Sequence, residues 1–242
     1  TADDEMDGDL SPGDISLREA LAMAGPGSTI QFSAALLNRV IKLTYSSTAT
    51  LPVANVQIVG LGAPFLTIDG NSRGTVFQAT AGDSSISHLT VTGGSNSGII
   101  VNPGTALSLD YMNISGNRAG TYGGGIHNNR GTLTLTHSHV LNNSVTVTLS
   151  GYGGGIHTTE GATTVVDSII SGNSATRGGG GIRGFYSSLT LVNSIVSGNK
   201  IDTTTITSIA GAGVDIHYGS LTAANATISG NTMTTISSAT SA

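Results

Sequence analysis

Five times from residue 114 onward an aliphatic residue, two further residues and an asparagine return in the same order. The copies are Ile114-Ser115-Gly116-Asn117, Val140-Leu141-Asn142-Asn143, Ile170-Ser171-Gly172-Asn173, Val196-Ser197-Gly198-Asn199 and Ile228-Ser229-Gly230-Asn231. The asparagines lie 26, 30, 26 and 32 residues apart. A period of that length marks stacked supersecondary units, none of which can bury its apolar face alone. It constrains the architecture and removes most polar residues from candidacy for catalysis.

Aligned on the turn before each long strand, the repeats begin at Gly82, Thr105, Gly131, Gly161, Ser187 and Gly219. Two and four residues later stand Leu107 and Leu109, Leu133 and Leu135, Leu189 and Leu191, with weaker versions at Ser84 and Ile86, Thr163 and Val165, Leu221 and Ala223. A further branched residue follows at Val91, Ile114, Val140, Ile170, Val196 and Ile228, and a third strand carries Ile99, Ile126, Ile156, Ile182 and Val214. This pattern predicts an all-β, single-domain, right-handed parallel β-helix, a pectate-lyase-like solenoid with three strands per coil. Roughly seven to nine coils over 29–242 would make a rod on the order of 40 Å long. Variable repeat lengths place insertions around 144–152 and 200–212. The asparagines are expected to stack as a hydrogen-bonded ladder at a turn. The glycine runs 123–125, 153–155 and 178–181 read as positions needing positive φ or close coil approach.

The first residues differ. Ser16-Leu17-Arg18-Glu19 is a capping box, and Leu17, Ala20, Leu21 and Ala24 form one apolar helix face. A helix over 15–24 is expected, ended by Gly25-Pro26-Gly27, so that 1–28 form an acidic cap on the solenoid. Short β runs are then predicted at Thr29–Phe32, Val40–Thr44, Val56–Val59, Phe65–Ile68 and Val76–Gln78.

Only 10% of the 242 residues are charged, with a formal net charge of -5, which argues against a nucleic-acid or anionic-membrane partner. No run is long and apolar enough for a membrane span. There is no cysteine and hence no disulfide framework. A low-charge chain rich in Ser, Thr, Asn and Gly that begins at Thr1 rather than Met fits a secreted product of signal-peptide removal, extracellular or at the cell surface.

Gly123-Gly124-Gly125-Ile126 with Asn143, and its copies, resemble the repeats of polymorphic outer-membrane proteins, which are right-handed parallel β-helix surface proteins. The stretch from Asp7-Gly8 to Ile15-Ser16-Leu17-Arg18-Glu19-Ala20 resembles a domain named for the signature CSLREA (Cys-Ser-Leu-Arg-Glu-Ala), which begins many large bacterial secreted β-helix proteins. The resemblance spans nearly the whole chain. It implies an N-terminal cap, a surface location and a rod shape more than any activity. Ile15 stands where the signature has cysteine, and an apolar contact with Leu10 would replace a cross-link.

Three local patterns suggest chemistry. Asp3, Glu5, Asp7, Asp9 and Asp14, with Gly8 and Ser11, approximate the oxygen spacing of a calcium loop ahead of a helix. The competing reading is a solvated acidic cap. Polysaccharide cleavage would need paired carboxylates, whereas the coil acids Asp69, Asp83, Asp110, Glu160, Asp167, Asp202 and Asp215 are scattered. Asp167 stacks beside His137 and Asn193 in the alignment. His127 and His157 fall on neighbouring coils, but Arg183 and Asp215 continue their column, which favours a polar column over a metal pair. Paired threonines such as Thr132, Thr134 and Thr136 do not repeat from coil to coil, so a flat threonine array is not expected.

A solenoid end presents unpaired strand edges. The tail after Asn231 lacks a capping pattern, so self-association through the solenoid ends or this tail is the expectation. The leading functional reading is therefore a non-enzymatic extracellular structural protein, a self-assembling subunit of a filament or surface layer. The alternatives are an adhesin-type passenger fragment of a larger surface protein, binding a surface glycan or a ligand on a host or neighbouring cell, and a polysaccharide lyase or hydrolase.

Overall fold

A computed structural model describes residues 1–11, 13–45, 50–148, 150–203 and 210–235. The chain is a right-handed parallel β-solenoid. Two eight-stranded sheets, one of seven strands and one of five run along it, and every strand pair is parallel. The first face runs from Thr29–Gln31 to Ser220–Ala224 and the second from Arg39–Lys42 to Thr227–Ser229. The third face runs from Leu51–Ala54 to Val214–His217. Six regular coils, whose first strands begin at Asp83, Ala106, Thr132, Ala162, Ser188 and Ser220, follow two shorter ones.

The expectation of three strands per coil needs correction. A fourth, narrow face follows the asparagine turn at Arg118–Ala119, Ser144–Val145, Ser174–Ala175, Lys200–Thr203 and Thr232–Thr235. Most of these strands have two residues, too few for period-two alternation to register in sequence. The strand Leu51–Ala54 was not expected either, because Pro52 lacks an N–H. It lies at the edge of its sheet, where proline is tolerated. The longer repeats expand after the fourth strand, at 146–151. The second expected insertion falls largely on 204–209, and most of the tail on 236–242, both outside the described residues.

Alternation sends one side chain in two toward the interior, and parallel register stacks like on like. Leu109, Leu135, Val165 and Leu191 pair in one column, and Ile114, Val140, Ile170 and Val196 in another. Ile99, Ile126, Ile156 and Ile182 form a third, and all three columns are fully buried. Burial of each such side chain contributes about 2 kcal/mol, so the core is one continuous file.

Corners are made by single left-handed residues. His88, Tyr111, His137, Asp167, Asn193 and Asn225, with φ between 46 and 59°, turn the first face into the second. At the next corner Gly116, Gly172, Gly198 and Gly230 hold φ of 61 to 67°, and Asn142 substitutes for glycine with φ 55°. There the asparagines form the expected ladder. Asn143 Nδ2 donates to Asn173 Oδ1 at 3.0 Å and to the Ile114 carbonyl at 2.9 Å, while its backbone N–H donates to the same Asn173 Oδ1 at 2.9 Å. Asn117, Asn173 and Asn199 repeat this set. A second ladder, of Ser138, Ser168 and Ser194, accepts the backbone N–H of the preceding coil through each hydroxyl.

The helix spans Leu17–Met23 with its capping box formed by Ser16 and Glu19. Leu17 is buried, and Ala20, Leu21 and Ala24 pack on the core. Asp4 clasps the Arg18 guanidinium and accepts the N–H groups of Thr44 and Tyr45, which ties the acidic segment to the first coils. Burial raises the Asp4 carboxyl, but Arg18 and the two N–H groups outweigh it and hold it below its ordinary value. Ile15 and Leu10 both remain exposed. The expected apolar substitute for a cross-link is therefore not what fastens the cap; the Asp4–Arg18 pair is. No helix among the described residues is long and apolar enough to cross a membrane.

Candidate functional site

On the third face, inward Ile126 and Ile156 force their neighbours His127 and His157 outward. Register then places Ile100, His127, His157, Arg183 and Asp215 in one outer column. Beside it, Tyr122, Tyr152 and Gly178 form a second column through single parallel bridges. The glycines between the columns permit this approach. Gly123 and Gly153 hold φ of 57 and 65°, and a Cβ on Gly125 would stand 2.7 Å from the Gly155 carbonyl oxygen.

The result is a cleft of about 450 Å³ running along the rod. Its floor is His127, His157 and Arg183; one wall is Tyr122 and Tyr152, and Phe185 stands with Asn129 and Thr159 on the other side. The tyrosine rings are nearly parallel, at 15°, with centroids 6.3 Å apart. Tyr122 also stacks on His157 at 4.6 Å, and the Arg183 guanidinium lies 4.8 Å from the Tyr152 ring centre. The tyrosine column stops at Gly178 for a steric reason. A Cβ there would lie 2.6 Å from Asp215 Oδ2, in space taken by the hydrogen-bonded Arg183–Asp215 pair.

Polar groups on this floor are buried yet not all satisfied. His157 is 3% exposed; its Nε2 meets Thr159 Oγ1 at 2.9 Å, and its Nδ1 has no partner. Arg183 is 8% exposed; its Nη1 donates to Asp215, and its Nε has no partner. Native interiors rarely leave such atoms unpaired. Burial lowers the His127 pKa to about 4. Burial, with the nearby His127 and Arg183, lowers that of His157 to about 3. Both imidazoles are therefore neutral near pH 7 and available as hydrogen-bonding groups.

A second cluster lies at the corner between the first and second faces. His88, Tyr111 and His137 stack with centroids 5.0 and 4.6 Å apart. His137 Nδ1 lies 3.0 Å from Asp110 Oδ1, and its Nε2 lies 3.9 Å from Asp167 Oδ2. The alignment anticipated Asp167 beside His137 but not Asp110. These groups are more than a third exposed, and this cluster is more solvated than the cleft.

The suggested calcium ligands make local hydrogen bonds. Asp7 accepts the Asp9 N–H, Asp9 accepts Ser11, and Asp3 binds Thr1. Among the described residues no three carboxylate, histidine or cysteine groups converge as a metal site. Glu5 is nonetheless pushed up, first by partial desolvation and then by Asp14, Asp7, Asp3 and Glu19, so the segment is mutually repulsive. The carboxylate that the calcium spacing skips, Asp4, is the one that anchors the segment. On the first face the threonine pairs do not recur, but one outward column does: Ser108, Thr134, Thr164, Thr190 and Thr222.

His127 and His157 come together as register required, with ring centres 5.6 Å apart. The tyrosine wall was missed in sequence. Its signal was the identical run Tyr-Gly-Gly-Gly-Ile-His at Tyr122–His127 and Tyr152–His157, in repeats that elsewhere drift. Comparison of the chain with protein-family models, with curated proteins and with solved structures gives no match.

Proposed function

We propose that this chain is a non-enzymatic solenoid module of a secreted surface protein, an adhesin-type passenger that holds a glycan in its flank cleft. One observation carries the reading: an aromatic-walled cleft whose floor presents buried, unpartnered polar atoms on His157 and Arg183. Such a combination of apolar wall and few fixed polar groups suits ligand binding. The likeness of residues 15–20 to the CSLREA-type signature and of the coils to surface-protein repeats supports the bacterial cell-surface setting. Binding is favoured over cleavage because the cleft is lined by Arg183 and two neutral imidazoles rather than two facing carboxylates. The test is a glycan-array screen of the intact protein beside a Tyr122→Ala/Tyr152→Ala variant. Binding by the parent and its loss in the variant is expected; no glycan bound, or binding indifferent to the tyrosines, contradicts the reading. A sugar-release assay on the bound glycans should show no cleavage.

The last described coil favours a second reading, a self-assembling subunit of a filament or surface layer. Leu221 and Ile228 occupy core positions but are 43 and 46% exposed, whereas Leu189 and Val196 one coil earlier are buried. This end can take a further coil of parallel strands, from a continuation of the chain or from another copy. Concentration-dependent fibres by negative-stain microscopy are its expected outcome; a monodisperse monomer at high concentration removes it.

A further inference from the structure

The corner between the third face and the first carries Arg130, Glu160, Tyr186 and Tyr218 in successive coils, each with φ between 49 and 58°. This shared backbone turn points the four side chains the same way, so neighbours meet along the rod. Arg130 and Glu160 meet as a two-pronged ion pair, with Nε and Nη2 each 3.0 Å from a carboxylate oxygen. Tyr186 and Tyr218 meet as stacked rings, 4.8 Å between centroids and 15° from parallel. The Tyr186 N–H donates to the His217 carbonyl at 2.9 Å, which holds the two corners in register. Phe185 stands edge-on to both rings, at 4.7 and 6.0 Å. Both tyrosines nonetheless stay open to solvent, 55 and 65% exposed.

The other four tyrosines are placed differently. Tyr122 and Tyr152 lie 6.3 Å apart, and Tyr122 is stacked on His157. Tyr111 stacks on two histidines, and Tyr45 lies under the Arg18 guanidinium. With no cysteine in the chain, no disulfide can tie one coil to the next.

We propose that Tyr186 and Tyr218 are a site of oxidative cross-linking, joined ring to ring as dityrosine by a peroxidase that consumes hydrogen peroxide. Each phenol gives up one electron and its hydroxyl proton. The two phenoxyl radicals form a carbon–carbon bond between positions ortho to oxygen. Each of those carbons then loses its hydrogen as a proton, and each oxygen regains one. The two electrons and two protons released per bridge reduce one peroxide to two waters. Rings already in contact couple within one chain ahead of collisions between chains. The bridge ties the last described coil, where Leu221 and Ile228 are 43 and 46% exposed, to the coil before it. It joins residues 32 apart in sequence and so restrains the unfolded chain as a disulfide does.

The test is treatment of the dilute intact protein with a haem peroxidase and equimolar hydrogen peroxide, followed by a denaturing gel and a tryptic mass map. Trypsin cuts after Arg183 and Lys200, so the two tyrosines fall in separate peptides, Gly184–Lys200 and the one beginning at Ile201. A monomer-sized band with dityrosine fluorescence is expected, with these two peptides joined at a loss of two hydrogens. The Tm of the cross-linked chain rises by about 5 °C. Tyr186→Phe and Tyr218→Phe each keep a ring in place, and each lowers dityrosine in the monomer by about tenfold or more. Tyr45→Phe leaves it unchanged. No dityrosine, dityrosine only between chains, a bridge mapped to Tyr122 and Tyr152, or a yield indifferent to both variants overturns the proposal. A bridge at Tyr186 and Tyr218 with no rise in Tm overturns the stapling role.

Discussion

The same coils carry two polar columns that behave oppositely. At the corner, Asn117, Asn143, Asn173 and Asn199 are almost wholly buried, and each side-chain amide closes its hydrogen bonds on the next coil and on a carbonyl of the preceding coil. On the third face, His157 and Arg183 are nearly as buried, yet each keeps an atom without a partner. Both columns repeat with the coil. The difference shows that burial and repetition alone do not separate scaffold from site in a solenoid. The asparagine column satisfies itself, whereas the outer column leaves His157 Nδ1 and Arg183 Nε open.

The largest effect should come from breaking the closed column. Asn173→Leu removes the acceptor of both the Asn143 backbone N–H and its Nδ2, and the donor to the Val140 carbonyl. At 1–3 kcal/mol for each orphaned group, a loss of about 4 kcal/mol is expected in urea unfolding. Little change would mean that the ladder is decorative. Next is the open column's ion pair. Arg183→Gln alone strands Asp215 and should cost about 3 kcal/mol, most of it restored by adding Asp215→Asn. Equal destabilisation by the single and double variants would show that the guanidinium serves by packing rather than by pairing.

Acid distinguishes the columns further. His127 and His157 have folded-state pKa values lowered to about 4 and about 3, below an unfolded value near 6.5. Between those limits the unfolded chain binds more protons than the folded one. The stabilisation is therefore whole above about pH 6.5 and is lost as pH falls toward the folded values. His157→Leu should flatten this slope in thermal melts between pH 7 and 4, whereas asparagine variants should shift the curve without altering its shape. The smallest stability effect belongs to the wall. Tyr122→Ala should change unfolding free energy by less than about 0.5 kcal/mol while abolishing most glycan binding. A large stability loss would assign Tyr122 to the scaffold.

Much of the fold was legible because period and alternation are core properties. The spacing of Leu107 and Leu109, Val140 and Ile156 gave coil, strand and inward face, and the recurring asparagine gave the ladder. The narrow fourth face was not, since Arg118–Ala119 or Ser174–Ala175 is too short for a pattern. The serine ladder escaped because Ser138, Ser168 and Ser194 replace Leu89 and Met112 at one corner position, and a serine's turn role resembles its solvated one. The cleft was half legible. Register places His127, His157 and Arg183 in line. Tyr122 and Tyr152 lie outside the strands, joined only by single bridges, so strand alignment did not bring them to the same wall. The hydrogen bonds of the acidic segment were not legible in its spacing. Asx-type hydrogen bonds use Asp7 and Asp9 locally, and a through-space pair uses Asp4.

Side-chain hydrogen exchange by NMR on the ligand-free protein tests the contrast most directly. The amide protons of Asn143 and Asn173 should exchange only through global unfolding, and the Arg183 Nε–H should exchange roughly a hundredfold faster through local opening of the cleft. Equal protection of the two would contradict the account, because the outer column would then be as closed as the inner one.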